Sequence, residues 1–199
     1  MMYQYLKNQS GFSLVEMLVS ITILLLVIIG PMTIIARTAK SSTYATEQVQ
    51  AFFLAQEGLE LAQKARDDRL LSSFVTPGTP WSDFKTDGTY ANCFNGNGCG
   101  LEWHNTTAGA LATPVSCSPV TDCRIYQKSA TGRSRFTYSA VDNSVSNTPT
   151  PYTRVIKFSN TNDGKAVKVV SSVTWQTGTL VASQRVETET YLYNIYDSN

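Results

Sequence analysis

Residues 11–18 read GFSLVEML, and residues 19–36 continue as VSITILLLVIIGPMTIIA. Glu16 is the only charged residue within 12–36, and the 20 residues 17–36 contain none. A helix of about 20 predominantly apolar residues is long enough to cross the core of a bilayer. The stretch therefore predicts a membrane-spanning helix headed by a single carboxylate.

Glu16 needs a partner, because a carboxylate at the head of a spanning helix is costly to bury alone. Its position in the first turn gains a little from the helix dipole. A free α-amino group is a better partner, since with a pKa of about 7.7–8.0 it is mostly protonated at neutral pH. Cutting the chain before Phe12 would create that cation about 6 Å from Glu16 along the axis, at ~1.5 Å per residue. Between staggered neighbours the two groups could meet directly, and such a repeated contact builds an open helical polymer.

The pattern of Gly11, Phe12 and Glu16 ahead of an apolar helix resembles the cleavage and methylation site of type IV prepilins and pseudopilins. The resemblance implies cleavage by prepilin peptidase between Gly11 and Phe12, N-methylation of Phe12, and a role for Glu16 in assembly. Residues 1–11, with Lys7 as their one charge, would be the leader. The residues alone leave open a signal anchor in which Glu16 is only interfacial. A cleaved secretory signal is disfavoured, because the apolar run is too long and no small-x-small site follows it.

One long helix is predicted over residues 12–71, membrane-spanning over 12–36 and amphipathic over 37–71. Its amphipathic part is expected to pack through apolar residues at three- and four-residue steps, namely Ala45, Val49, Phe52, Leu59 and Ala62.

Three local features modify this helix. Pro31, after Gly30, is expected to kink it, because proline removes a backbone donor. Gly58 is expected to cost up to about 1 kcal/mol relative to alanine. Glu60 and Lys64 are ordered correctly for a stabilising i,i+4 pair.

The residues from 72 onward are expected to form the globular head, of which 72–134 is predicted to be irregular and to depend on crosslinks. This region contains all the cysteines, and an even number of cysteines after an export segment favours disulfides over a metal site. Four cysteines allow three connectivities. We favour the one with two local bonds, Cys93–Cys99 and Cys117–Cys123. The Asn-Gly-Asn-Gly sequence at 95–98 would allow the first loop to turn tightly.

Strand signals dominate residues 135–193. Segments rich in Val, Thr, Tyr and Phe are predicted as strands at 135–141, 152–159, 166–175 and 179–193. Hairpin turns are predicted at Asn162-Asp163-Gly164 and Thr177-Gly178. The resulting antiparallel meander needs cover for one apolar face, and the amphipathic part of the helix supplies it. The expected class is therefore α+β, which is the type IV pilin fold that the resemblance implies.

The resemblance extends to residues 51–69 and to the last predicted hairpin, which are similar to PilV-like minor pilins. In that family the helix proline usually lies two residues further along, where this chain has Thr33. Pro31 would then serve the same purpose.

Other functions have weaker signals. The only histidine, His104, lies in a loop-like sequence without an enzyme motif, so no catalytic activity, cofactor or metal is expected. The net charge of +1 gives no general attraction for nucleic acid. A DNA-uptake pilin is the least favoured alternative, and it would use a basic and aromatic cluster formed by Arg124, Tyr126, Lys128, Arg133, Arg135 and Phe136. Asn105-Thr106-Thr107 is a short match to a glycan acceptor.

The sequence thus predicts a structural subunit of a type IV pilus or pilus-like filament, favouring a minor pilin. A major pilin or a type II secretion pseudopilin remains an alternative, because all share the cleavage motif. Expected partners are other pilin subunits, prepilin peptidase, the cytoplasmic membrane and the pilus assembly machinery. The precursor is expected in that membrane with its N-terminus inside, and the mature subunit in a surface filament.

Overall fold

The computed structural model describes residues 11–72, 79–86, 88–103, 113–128, 135–142, 145–177 and 182–194. The chain divides into two compact units between Ala45 and Thr46. The first unit contains the N-terminal part of the long helix. The second contains the remainder of that helix and all the strands.

Helix α1 spans Leu14–Ser72 and is helical throughout, including Pro31. It begins two residues later than predicted, since Phe12 and Ser13 precede its first turn. Two further helices are short, α2 at Pro80–Thr86 and α3 at Ala91–Phe94. Whether Pro31 bends α1 stays a prediction.

The main sheet is antiparallel and is built around the long strand β7, Thr148–Asn160. One edge of β7 pairs with β8, Ala166–Trp175, which pairs in turn with β9, Gln184–Tyr193. The other edge of β7 pairs with two strands of the middle region, β1 and β3. The remaining strands are β1 at Cys99–Gly100, β2 at Val115–Ser116, β3 at Arg124–Lys128, β4 at Arg135–Thr137, and a separate pair of β5, Val141–Asp142, with β6, Val145–Ser146.

The predicted meander is confirmed for β7, β8 and β9. Strand β8 has the predicted bounds, and its inward residues Val167, Val169, Val173 and Trp175 are all buried. Gly164 closes the predicted turn between β7 and β8, since its amide donates to Thr161 O at 2.9 Å. The second predicted turn falls on Gly178, which lies outside the described residues.

The middle region is more regular than predicted. Beside α2, α3 and a 3-10 turn at Val120–Cys123, it supplies three strands of the main sheet. The predicted strand at 135–141 is shorter than expected, since β4 ends at Thr137. It does not adjoin β7, because β3 lies between β4 and β7. Strand signals were weak here because two of these strands are only two residues long.

The packing face of α1 in the second unit matches the predicted one only in part. Ala62 is buried and Leu59 packs against the core, but the other predicted residues are exposed. Val49 and Phe52 are 54% and 43% exposed, and Ala45 in the first unit is also exposed. The face that packs on the sheet consists mostly of small residues, namely Ala51, Leu54, Ala55, Gly58, Leu61, Ala62 and Ala65. Small side chains let the helix approach the sheet closely, whereas the predicted face included the larger Val49 and Phe52.

Gly58 is required by this close approach. A Cβ at Gly58 would overlap Ser171 Oγ and would lie 3.1 Å from Ser171 Cβ and 3.3 Å from Arg154 Cδ. Its low helix propensity, noted from the sequence, is therefore offset by packing that no larger residue permits.

The core joins α1, α2, α3 and the sheet. Phe84 of α2 is at its centre, with ring centroids 5.4 Å from Tyr90 and 5.6 Å from Phe158. The predicted Glu60–Lys64 pair is wrong, because Lys64 Nζ instead bonds Asp68 Oδ1 at 2.7 Å. With the second half of α1 covering an antiparallel sheet, the α+β class is confirmed.

Candidate processing and assembly site

The bond between Gly11 and Phe12 lies ahead of α1 in chain without regular structure. Both residues are exposed, and the Phe12 side chain is 77% exposed. The first helical bond follows directly, with Met17 N donating to Ser13 O at 3.1 Å. This segment is therefore open to a protease.

Nothing in the described structure explains why residue 11 is glycine. Among the described residues, no atom lies within 4 Å of the position that a Cβ on Gly11 would occupy. The fold would accept a larger side chain there. A requirement for glycine at this position would come from recognition by another molecule.

Glu16 occupies the first turn of α1, where the helix dipole favours a negative charge. Its side chain is exposed, and no salt bridge to it is present in the described part of the chain. The carboxylate thus remains available to a cation from outside these residues.

The side chains that follow Glu16 are large, apolar and uncovered. Leu24, Leu26 and Ile35 are 58%, 74% and 67% exposed. α1 is long and apolar enough to cross a membrane, and its most apolar window is 0% buried. A helix that formed the core of a soluble domain would instead be mostly buried.

The three hydroxyl groups within residues 17–36 each donate a hydrogen bond to a backbone carbonyl of the helix. Ser20 Oγ donates to Glu16 O at 2.7 Å, Thr22 Oγ1 to Val19 O at 2.8 Å, and Thr33 Oγ1 to Gly30 O at 2.8 Å. A hydroxyl in hydrocarbon needs such a partner, since no water is present to supply one. The polar residues of the segment are therefore compatible with an apolar surrounding.

A family model described as the prokaryotic N-terminal methylation motif matches residues 6–30. Over these residues the chain is type IV pilin-like. Neither the curated proteins nor the solved structures gave a match. The motif is that of a family of structural subunits, pilins and pseudopilins, and it implies cleavage by prepilin peptidase followed by assembly with other pilins. Motif and apolar helix together indicate a membrane-anchored precursor of a surface filament.

The cysteines of this pilin-like chain are bonded in two local pairs. Cys93 is bonded to Cys99 and Cys117 to Cys123, with Cα atoms 4.6 and 5.2 Å apart. These are the two pairings that the sequence favoured. Gly98, with φ of +79°, turns the first loop, and a Cβ there would lie 2.6 Å from Val155 Cγ1 and 2.9 Å from Ile156 O.

The other candidate residues are only partly brought together. Lys128 lies opposite Arg135 in the β3–β4 register, but Arg124 Nε is held by Thr150 O at 3.0 Å. Within the described ranges, no group of three or more His, Cys, Asp or Glu residues is arranged to hold a metal ion. His104, the Asn105 glycan match and Arg133 lie outside the described residues.

Proposed function

We propose that this chain is a minor pilin, cut between Gly11 and Phe12, methylated on Phe12 and anchored by residues 12–36 until it enters a filament. The observation that carries the proposal is a lone carboxylate in the first turn of an uncovered apolar helix, inside a matched methylation motif. Residues 1–11 are the leader, and residues 72–199 form the head, on which the second part of α1 packs.

Assembly follows from the chemistry of the new terminus. Cleavage leaves an ammonium on Phe12, and Glu16 of a neighbouring subunit supplies its counter-charge in the apolar core of the filament. An ion pair in such surroundings contributes little net stability, but it defines register, because any other stagger leaves two buried charges unpaired. The contact joins different surfaces of the two subunits, so it propagates as a helix.

The choice of a minor pilin is supported by the likeness of residues 51–69 and of the β8–β9 hairpin to PilV-like minor pilins. A major pilin and a type II secretion pseudopilin are the alternatives, and a DNA-uptake pilin is the weakest. Abundance in sheared filaments, measured against the membrane pool, distinguishes them. A minor pilin is sparse there, a major pilin dominates, and a pseudopilin is absent.

Processing is tested by intact mass and N-terminal sequencing of protein purified from membranes. We expect the mature chain to begin at Phe12 and to carry one added methyl group. Gly11→Val should remain uncut, and because the described structure has room at Gly11, misfolding would not explain that result. Gly30→Ala, a substitution at another uncrowded glycine of the same segment, is the matched control and should be processed normally. A wild-type chain that starts at Met1, or beyond Ala36, would refute the proposal.

A further inference from the structure

An arginine lies in the core of the head, on the inward face of the sheet. Arg154 is in the middle of β7 and is only 1% exposed. It follows the same alternation as Tyr152, Ile156 and Phe158, which are all buried. A charge in this position needs hydrogen-bond partners on every side of the guanidinium.

The guanidinium of Arg154 has four acceptors in three segments of the chain. Nη1 donates to Glu57 Oε2 at 2.7 Å and to Leu54 O at 3.1 Å, both on α1. Nε donates to Tyr138 Oη at 2.7 Å, and Nη2 donates to Leu101 O at 3.1 Å. One side chain therefore connects the helix, the segment after β1 and the segment after β4.

Two glycines make room for this arrangement. Gly58 lies beside the Arg154 Cδ atom, as described above, and a Cβ on Gly100 would lie 2.7–2.9 Å from the Tyr138 ring. Tyr138 is further held by its amide, which donates to Glu102 Oε2 at 2.8 Å. Tyr138 is thus itself fixed in place.

Arg154 remains charged in this site. Burial acts to lower its pKa, but the neighbouring Tyr138 and Glu57 more than offset that effect, and the pKa is raised. Its hydrogen bonds are therefore donated by a charged group, and bonds of this kind are stronger than neutral ones.

The apolar contacts of α1 specify its position on the sheet less well than the hydrogen bonds of Arg154 do. Its packed face is made mostly of alanine, and burial of apolar surface is non-directional. A shift of one residue along the sequence moves a helical position by about 1.5 Å and 100°. The acceptors on Leu54 and Glu57 would then no longer meet the fixed fork of Arg154.

We propose that Arg154 is a positioning residue that fixes the rotation and register of α1 on the sheet, and so determines which helix face the head leaves uncovered. That face carries Val49, Phe52 and Phe53, which are 54%, 43% and 62% exposed. The use of this face for contacts with neighbouring subunits rests on the proposed function, whereas the positioning of α1 by Arg154 does not.

The test measures maleimide labelling of single cysteines added to the full-length chain in detergent, with the native disulfides intact. Probes are placed at Phe53, which is exposed, at Ala55, which is 0% exposed, and at Val169 of β8, also 0% exposed. In the parent chain we expect the Phe53→Cys probe to react roughly tenfold or more faster than the Ala55→Cys probe, because buried sites react only on local opening.

With Arg154→Met, which keeps the length of the side chain but removes the charge, the ratio of the two helix probes should fall about fivefold or more, since the charge no longer selects one register. The Val169→Cys probe should stay protected. Lys168→Met is the matched control, a charge removed from the other face of the neighbouring strand, and it should leave the ratio unchanged. An unchanged ratio in Arg154→Met would overturn the proposal, as would equal deprotection of all buried probes.

If Arg154→Met does not fold, Glu57→Met decides the question by removing one helix acceptor. The ratio should then fall about twofold or more, because one of the two bonds to α1 is lost. A ratio equal to that of the parent chain would overturn the proposal. None of these readouts depends on cleavage or on filament formation, so failure of the Arg154 proposal and failure of the pilin proposal are separable.

Discussion

The two glycines of α1 show how differently its two parts are used. A Cβ on Gly30 would meet no described atom within 4 Å, whereas a Cβ on Gly58 would collide with Ser171. Around Gly30 the side chains are large and uncovered, and around Gly58 they are small and buried. The need to form a helix therefore does not by itself explain which side chains each part of α1 carries. Other described residues do not cover the side chains of the first part, whereas those around Gly58 are restricted by contact with the sheet.

The largest effect is expected from replacing Glu16, which should impair filament assembly without affecting the head. Glu16→Ala should enter the membrane and be cut after Gly11, but its level in sheared filaments, relative to the membrane pool, should fall by about a hundredfold. Breaking one side of a buried pair costs about 3–5 kcal/mol. Glu16→Gln should be intermediate. The head should unfold as in the wild type, since Glu16 belongs to the other compact unit.

Glu60→Ala is the control for this prediction, because Glu60 is an exposed glutamate of the second part. It should enter filaments normally. Wild-type levels of Glu16→Ala in filaments would show that the charge pair does not drive assembly. An uncut Glu16→Ala would instead assign the residue to recognition by the peptidase.

A smaller effect is expected from the disulfides, and only in the head. Replacing Cys93 and Cys99 by alanine should lower the free energy of unfolding by roughly 2–4 kcal/mol, as measured by denaturant titration. Cys117 and Cys123, whose loop has the same length, should give a loss at the lower end of this range, because only the first pair belongs to the main core. Membrane insertion should not change. Free thiols in the purified native protein, detected by alkylation without reductant, would contradict the pairing.

The smallest effect tests the comparison of the glycines directly. Gly58→Ala should cost about 1–3 kcal/mol of head stability through overpacking, despite its better helix propensity. Ser171→Gly removes both Ser171 atoms that the new methyl group would meet, so most of the loss should disappear in the double variant. Gly30→Ala should leave the unfolding of the head unchanged. Equal losses in the Ser171 and Ser171→Gly backgrounds would show that close packing is not the reason for Gly58.

The sequence predicted what depends on strong local periodicity. The helical first part of α1, the strand at 166–175 and its turn at Gly164 follow from runs of apolar residues and from turn chemistry, and the structure agrees. That the first part of α1 spans a membrane stays a proposal. The cleavage and assembly residues were also readable, because their pattern is contiguous in the chain. Their roles stay proposals.

What could not be predicted depends on contacts between distant residues. The packing face of α1 depends on its contacts with sheet residues that are distant in sequence, such as Ser171 and Arg154, and no helical pattern contains these. Strand β3 exists because β7 offers it a partner edge. Arg154 did leave a signal, a charge in the apolar phase of a predicted strand, but its partners Glu57 and Tyr138 are far away in sequence.

The shortness of the disulfide loops has a consequence for the order of events during export. Each bond joins cysteines six residues apart, and both pairs precede β7, β8 and β9 in the chain. As a chain emerges N-terminus first, Cys93 meets Cys99 before Cys117 or Cys123 has arrived, and once that bond has formed Cys117 and Cys123 have only each other to pair with. Oxidation can therefore be complete while the strands that will cover the first pair are still to follow, and correct pairing does not depend on a folded head or on later reshuffling.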